Sequence, residues 1–258
     1  MSLQSGAPHG FQELEEGRAT AWVRPEASEW VRNVLERGDT LHQAAARSAG
    51  VQEMAGRGAV WVFSAPEGDA PGWVARHYRR GGSVASLLGD RFLRSREPRP
   101  FLELRASEEV RGRGLPTPRV LAAAVYPRGL HYRGDLVTEL VPDAMELAEV
   151  LFDPERTGVA GGADRKEALQ EAGQLIRKMG EAGVFHPDLN ARNVLLRWYA
   201  APDALVLDLD RCRVGSAPDR DAAGRMLMRL VRSIRKLAGK TGIHVPENEI
   251  QVLREAVG

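Results

Sequence analysis

The chain has 258 residues, 43% of them hydrophobic, and a formal net charge of +1. That length holds one large domain or two modest lobes around a real core, and the near-neutral charge excludes a global electrostatic case for nucleic acid. The single cysteine, Cys212, excludes an intramolecular disulfide and points to a reducing compartment.

In chain order, Met1 to Gly10 is polar, without the charged-then-apolar order of a signal peptide. No stretch has the apolar length of a membrane span, so the expected location is the cytoplasm. Residues 1–50 are polar with helical patches, such as Glu29 to Arg37. They are expected to be an N-terminal extension of unassigned role.

From Gly56 the pattern changes. Gly56-Arg57-Gly58 leads into the β-branched and aromatic run Ala59 to Phe63. Ser64 to Gly72 is a turn by composition, and Trp73 to Tyr78 is the returning strand of a hairpin. Leu102 to Arg113 carries helix formers and stops at Gly114-Leu115-Pro116. Val120 to Tyr126 and Leu130 to Val141 are two more strands, and Met145 to Leu151 is a short helix. Over Asp164 to Ala182, Leu169, Ala172, Leu175, Ile176 and Met179 fall on one helical face. A hairpin over 193–210 and a long helix from Asp221 to Leu237 follow. A strand-rich half (51–141) thus precedes a helix-rich half (142–258), which predicts an α+β chain with a small β lobe and a larger helical lobe.

The helix-rich half carries the most informative residues. His186-Pro187-Asp188-Leu189-Asn190-Ala191-Arg192-Asn193 is a short acidic loop. One hairpin later comes Leu205-Val206-Leu207-Asp208-Leu209-Asp210. An Asp and an Asn five residues apart, then an Asp ending an apolar strand, suit phosphoryl transfer of the protein-kinase type. Such a reaction asks a protein to position its reactants and to neutralise charge. Asp188 fits as the base for an acceptor hydroxyl, with His186 bracing the loop. Asn193 and Asp208 supply hard oxygen atoms for Mg²⁺ beside ATP. Asp210 is either a further metal or hydrogen-bonding residue or a loop-bracing acid. Asn190 stands where many kinases have a lysine facing the γ-phosphate, and Arg192 is the cation to replace it. A surface turn followed by two strands is the plain alternative, and the second acidic segment weighs against it.

The remaining candidates lie earlier in the chain. Gly56 and Gly58 suit a phosphate-covering loop, although Trp61 occupies the place of a third glycine. Arg76 is a strand cation for phosphate oxygens, with His77 and Arg79 as competitors if the register differs. Glu103 is its best helix partner, ahead of Glu108 and Glu109. Glu139 to Val141 would offer backbone groups to adenine. Two basic patches, at 76–99 and 224–240, suit a solvated face, an anionic substrate or anionic lipid headgroups.

Several of these stretches together resemble the bacterial lipopolysaccharide kinase family. They are Gly56-Arg57-Gly58, Arg76-His77-Tyr78-Arg79-Arg80-Gly81-Gly82, Asp90-Arg91-Phe92, Tyr132-Arg133-Gly134-Asp135, the His186 to Asn193 loop and Asp208-Leu209-Asp210-Arg211. Leu209 departs from a usual phenylalanine, and residues 1–50 match nothing. The resemblance implies a two-lobed protein-kinase-like fold and an ATP-dependent transferase. It implies a hydroxyl of lipid A-linked Kdo (3-deoxy-D-manno-octulosonic acid) as acceptor, and work at the cytoplasmic face of the inner membrane. A heptose or other small-molecule kinase of the same fold, or a non-catalytic pseudokinase, is the alternative.

Overall fold

The apolar runs at residues 60–63, 73–77 and 120–137 form the middle of one antiparallel sheet. A computed structural model describes residues 6–54, 59–66, 72–79, 90–93, 97–154, 164–198, 202–216 and 218–258. Contacts divide the chain into two units, Met1–Arg105 with Arg119–Leu140, and Ala106–Pro118 with Val141–Gly258.

Among the described residues the first unit has eight strands in one sheet. In chain order these are β1 (Gln12–Glu16), β2 (Ala19–Val23), β3 (Gln52–Met54), β4 (Val60–Phe63), β5 (Trp73–His77), β6 (Phe92–Leu93), β7 (Val120–Arg128) and β8 (His131–Glu139). Their order in the sheet is β1-β2-β7-β8-β5-β4-β3, with β6 also paired to β8. Val120 to Val125 are all buried, so β7 reads as a continuous apolar run rather than an alternating one. Both faces are covered. Helix α1 (Pro25–Glu36) turns Ala27, Val31, Val34 and Leu35 onto one face, joined by the short helix α2 (Leu41–Ala46). Helix α3 (Arg99–Gly112) sets Phe101 and Leu104 on the other face, where Phe101 stacks on Trp22 with ring centroids 4.0 Å apart. Gly134 allows that approach, because a Cβ there would lie 2.4 Å from Pro100 Cγ.

Residues 6–50, which the sequence left without a role, therefore supply two strands and two helices of this unit. Helix α2 is too short to persist alone. Its first amides are held by the sheet and by its own cap. Leu41 N–H donates to the Tyr126 hydroxyl (2.8 Å), His42 N–H to Asp135 Oδ2 (2.9 Å), and Gln43 N–H to Thr40 Oγ1 (3.2 Å).

The second unit packs α4 (Leu147–Phe152), α5 (Arg165–Glu181), α6 (Arg220–Thr241) and α7 (Glu247–Val257) around two small sheets. One has the order β12-β11-β9, from β9 (Ala144–Glu146), β11 (Val194–Trp198) and β12 (Pro202–Val206). The other pairs β10 (Val184–Phe185) with β13 (Arg213–Val214). The amphipathic stripe expected on 164–182 is the buried face of α5, capped by Asp164, whose carboxylate accepts the Lys166 and Glu167 N–H groups. Gly173 brings α7 close, since a Cβ there would lie 2.6 Å from Leu253 O. The stop signal after α3 has its own place. Thr117 donates its hydroxyl to Val206 O (2.7 Å), and Val206 N–H donates to Pro116 O (3.0 Å).

Several boundaries differ from expectation, three of them by enough to matter. Helix α3 begins at Arg99 rather than Leu102, because proline is tolerated in a first helical turn. Residues 144–146 form a strand against β11 before the expected helix starts. Helix α6 runs on to Thr241, where Gly242 closes it in the left-handed conformation with φ 74°.

Candidate active site

The acidic loop is held almost entirely through its backbone. His186 is 1% exposed and does the bracing. Its Nδ1 accepts the Asp188 N–H (3.2 Å) and its Nε2 contacts Leu207 O (3.1 Å). An N–H can only donate and a carbonyl can only accept, so the ring proton sits on Nε2. Asp188 O accepts both side-chain amides of the loop, Asn190 Nδ2 at 2.9 Å and Asn193 Nδ2 at 3.3 Å. Asn190 Oδ1 accepts the Arg192 N–H (3.0 Å), and Ala191 N–H donates to Ser233 Oγ on α6 (3.2 Å). The Asp188 carboxylate carries none of this scaffolding and stands in solvent.

The Asp208 turn is fastened to the same loop. Leu207 N–H donates to Asn193 O (2.9 Å), and Leu207 O is the His186 contact. Asp208 then takes the left-handed conformation, φ 61° and ψ 57°, which non-glycine residues adopt uncommonly. A 3₁₀ turn over Leu209–Arg211 follows, and its last residue returns to the loop, with Arg211 Nη1 2.5 Å from Asp188 Oδ2. Asp208 is thus bracketed by bonds to Asn193 and His186 before it and to Asp188 after it. The three residues expected to carry the chemistry belong to one patch of the second unit. Asp210 lies within the 3₁₀ turn.

Asn190 braces the loop. Arg192 Nη1 donates to Glu146 Oε2 (3.2 Å), and Glu146 itself precedes α4 in a capping box. The cation on Asp188 is Arg211, to which the sequence assigned no role. Its position three residues after Asp208 was the available signal.

In the first unit Arg76 meets Glu103 at 2.5 Å, which resolves the competition with Glu108 and Glu109. Glu103 is 3% exposed and also accepts the Tyr78 hydroxyl, while the Arg76 guanidinium lies 5.3 Å from the Tyr78 ring centroid. Tyr78 directly follows β5, two residues after Arg76, and its hydroxyl meets the same carboxylate, so extending the strand periodicity by one residue was the signal for Tyr78. Glu139 pairs with Arg119 (2.7 Å), and the N–H groups of Glu139 and Leu140 donate to Arg119 O and Gly72 O. Val141 begins the second unit. Gly56, Gly58, Arg80, Gly81 and Gly82 lie outside the described residues.

His77 faces away from Arg76. Its Nδ1 lies 2.5 Å from Asp135 Oδ1 and its Nε2 3.2 Å from Asp90 Oδ2, while Arg133 pairs with Asp90 at 2.7 Å. The His42 ring stands 5.5 Å away. Burial works against a charged imidazole here, but the Asp135 and Asp90 carboxylates outweigh it, and the His77 pKa is raised. The native state therefore keeps a proton that the unfolded chain releases near pH 6.5. Its stabilisation is complete below that pH and fades as pH rises through the raised native value. Urea titrations across this window should show wild-type stability falling with pH relative to His77→Gln, by at most about 1.4 kcal/mol per pH unit. Parallel curves would show that His77 does not titrate there.

The chain matches the lipopolysaccharide kinase (Kdo/WaaP) family over residues 39–256. It is 35% identical over 205 residues to a 3-deoxy-D-manno-octulosonic acid kinase of Stenotrophomonas maltophilia strain K279a, covering 78% of this chain and 76% of that protein. It is 34% identical to the kinase of that name from Vibrio parahaemolyticus serotype O3:K6, covering 78% and 79%. A solved structure, WaaP in complex with acyl carrier protein, superimposes with a TM-score of 0.52 at 19% identity, over 95% of this chain and 88% of that one. That likeness shows a two-lobed, protein-kinase-like fold. An acidic loop and an aspartate turn bonded into one patch, on this fold and with these relatives, make the chain a kinase of sugar hydroxyls, and it belongs to the lipopolysaccharide kinase (Kdo/WaaP) family.

Proposed function

We propose that this kinase transfers the γ-phosphoryl group of ATP to a hydroxyl of lipid A-linked Kdo in the lipopolysaccharide inner core. The carrying observation is the relatives of that name, 34–35% identical over 78% of the chain. Asp188 takes the proton of the acceptor hydroxyl as the oxygen–phosphorus bond forms, and ADP leaves. Arg76, held by Glu103, anchors the nucleotide phosphates. The Val141 backbone serves the adenine.

Mg²⁺ fits the residues present. The Asn193 Nδ2 bond to Asp188 O sets which end of the amide is Oδ1, and Asp208 adds a carboxylate. Two hard oxygen donors suit an ion that completes its shell with water and phosphate oxygens. No group of three or more His, Cys, Asp or Glu side chains suited to a metal occurs among the described residues. Bound there, the ion would neutralise developing phosphate charge.

Among the described residues no helix is long and apolar enough to cross a membrane. A peripheral position at the inner membrane is supported by α6, whose exposed face carries Arg225, Arg229, Arg232 and Lys236 around Met228, itself 66% exposed. Mass spectrometry of lipid A–core from cells with and without the protein tests the function. The expected result is a phosphate-sized increment on Kdo. An unchanged Kdo would overturn the acceptor, and an increment on heptose would replace it.

A further inference from the structure

The guanidinium of Arg211 rests on the carboxylate that is to act as base. The contact is 2.5 Å long, yet both side chains are open to solvent, Arg211 at 62% and Asp188 at 47%. A solvent-exposed pair of this kind is worth little and exchanges readily. Neighbouring arginines of the unit are engaged in the scaffold. Arg192 holds Glu146, Arg113 holds the carbonyls of Ala182 and Gly215, and Arg225 holds the Asp219 cap of α6. Arg211 instead holds one oxygen of the group that is to act as base, Asp188 Oδ2, and the lone pair it engages there is closed to a hydroxyl proton until the guanidinium moves.

Release needs a competing anion close to the acceptor hydroxyl. The proposed acceptor is an octulosonic acid, so it carries a carboxylate on the same sugar as the hydroxyl. A planar guanidinium matches a carboxylate in a two-pronged fashion. We propose that Arg211 reads the carboxylate of the acceptor, and that this carboxylate draws the guanidinium off Asp188 and frees the base. The inference rests on the proposed acceptor. It explains selection of an acidic sugar over a neutral one by a residue that lies three positions from Asp208.

The test uses the full-length protein, ATP, and two soluble acceptors, a Kdo glycoside and the same glycoside with its carboxylate converted to a carboxamide. Wild type should prefer the acid by about 10- to 100-fold in kcat/KM, the worth of hydrogen bonds to a charged group. Arg211→Gln should bring that ratio close to one while the KM for ATP stays unchanged. Arg211→Lys, which keeps the charge but loses the fork, should fall between. A preference for the acid that survives in Arg211→Gln overturns the proposal. So does a raised KM for ATP with the ratio intact, which would assign Arg211 to the nucleotide phosphates. A wild-type enzyme that phosphorylates a heptose and neither glycoside overturns the acceptor itself, and the carboxylate reading with it.

Discussion

Replacing Asp188 with alanine should abolish phosphoryl transfer and leave thermal unfolding where it is. General-base catalysis contributes about 10²- to 10⁴-fold, so residual turnover should be at most about one per cent. The fold should not register the change, because the loop is held by the Asp188 backbone. His186 takes its N–H, and Asn190 and Asn193 donate to its carbonyl. Only the solvent-exposed pair with Arg211 is lost, and such pairs are worth about 0–1 kcal/mol. Steady-state kinase rates and a calorimetric scan of the same preparation check both halves. Full activity in the variant would mean that another group receives the hydroxyl proton.

Glu103→Ala should fail differently, in stability and in nucleotide affinity together. Glu103 is buried and receives both the Arg76 guanidinium and the Tyr78 hydroxyl. Tyr78 is only 6% exposed, so its hydroxyl would lose a partner in a packed setting, at a cost of about 1–3 kcal/mol. Arg76 keeps a third of its side chain in solvent and would rehydrate, which limits its share of the loss. Without the Glu103 carboxylate to orient it, the guanidinium should hold ATP phosphates poorly. The expected result is a lower urea midpoint at unchanged slope, with a raised KM for ATP. An unaltered KM would remove Arg76 from nucleotide binding.

The patch of the second unit was legible because it is local. Asp188, Asn193 and Asp208 fall within one loop and one hairpin, and the spacing alone places them together. The Arg76 strand was legible for a similar reason, with β-branched and aromatic residues on each side of a turn. What escaped depends on distant pairing. Gln12–Glu16 is mostly acidic and is a strand only because β2 lies against it, and β2 in turn lies against Ala122–Val125. Residues 144–146 become a strand by meeting Leu195–Arg197. The His77–Asp135 pair joins residues 58 positions apart, beyond any periodicity. Helix α7 had a signal, Pro246 before acidic Glu247 and Glu249 and then Ile250 and Leu253 three apart, which went unused.

The anchoring of α2 has a consequence for how this unit breathes. The amides of Leu41 and His42 give their protons to Tyr126 and Asp135, side chains of the two central strands β7 and β8, rather than to groups of their own helix. Local fraying of α2 is therefore tied to the integrity of the sheet interior. Deuterium should enter these two amides as slowly as it enters β7 and β8 themselves, although they begin a helix of six residues whose own ladder would protect them hardly at all. The start of α2 is in effect a gauge, readable one amide at a time, of how often the sheet opens.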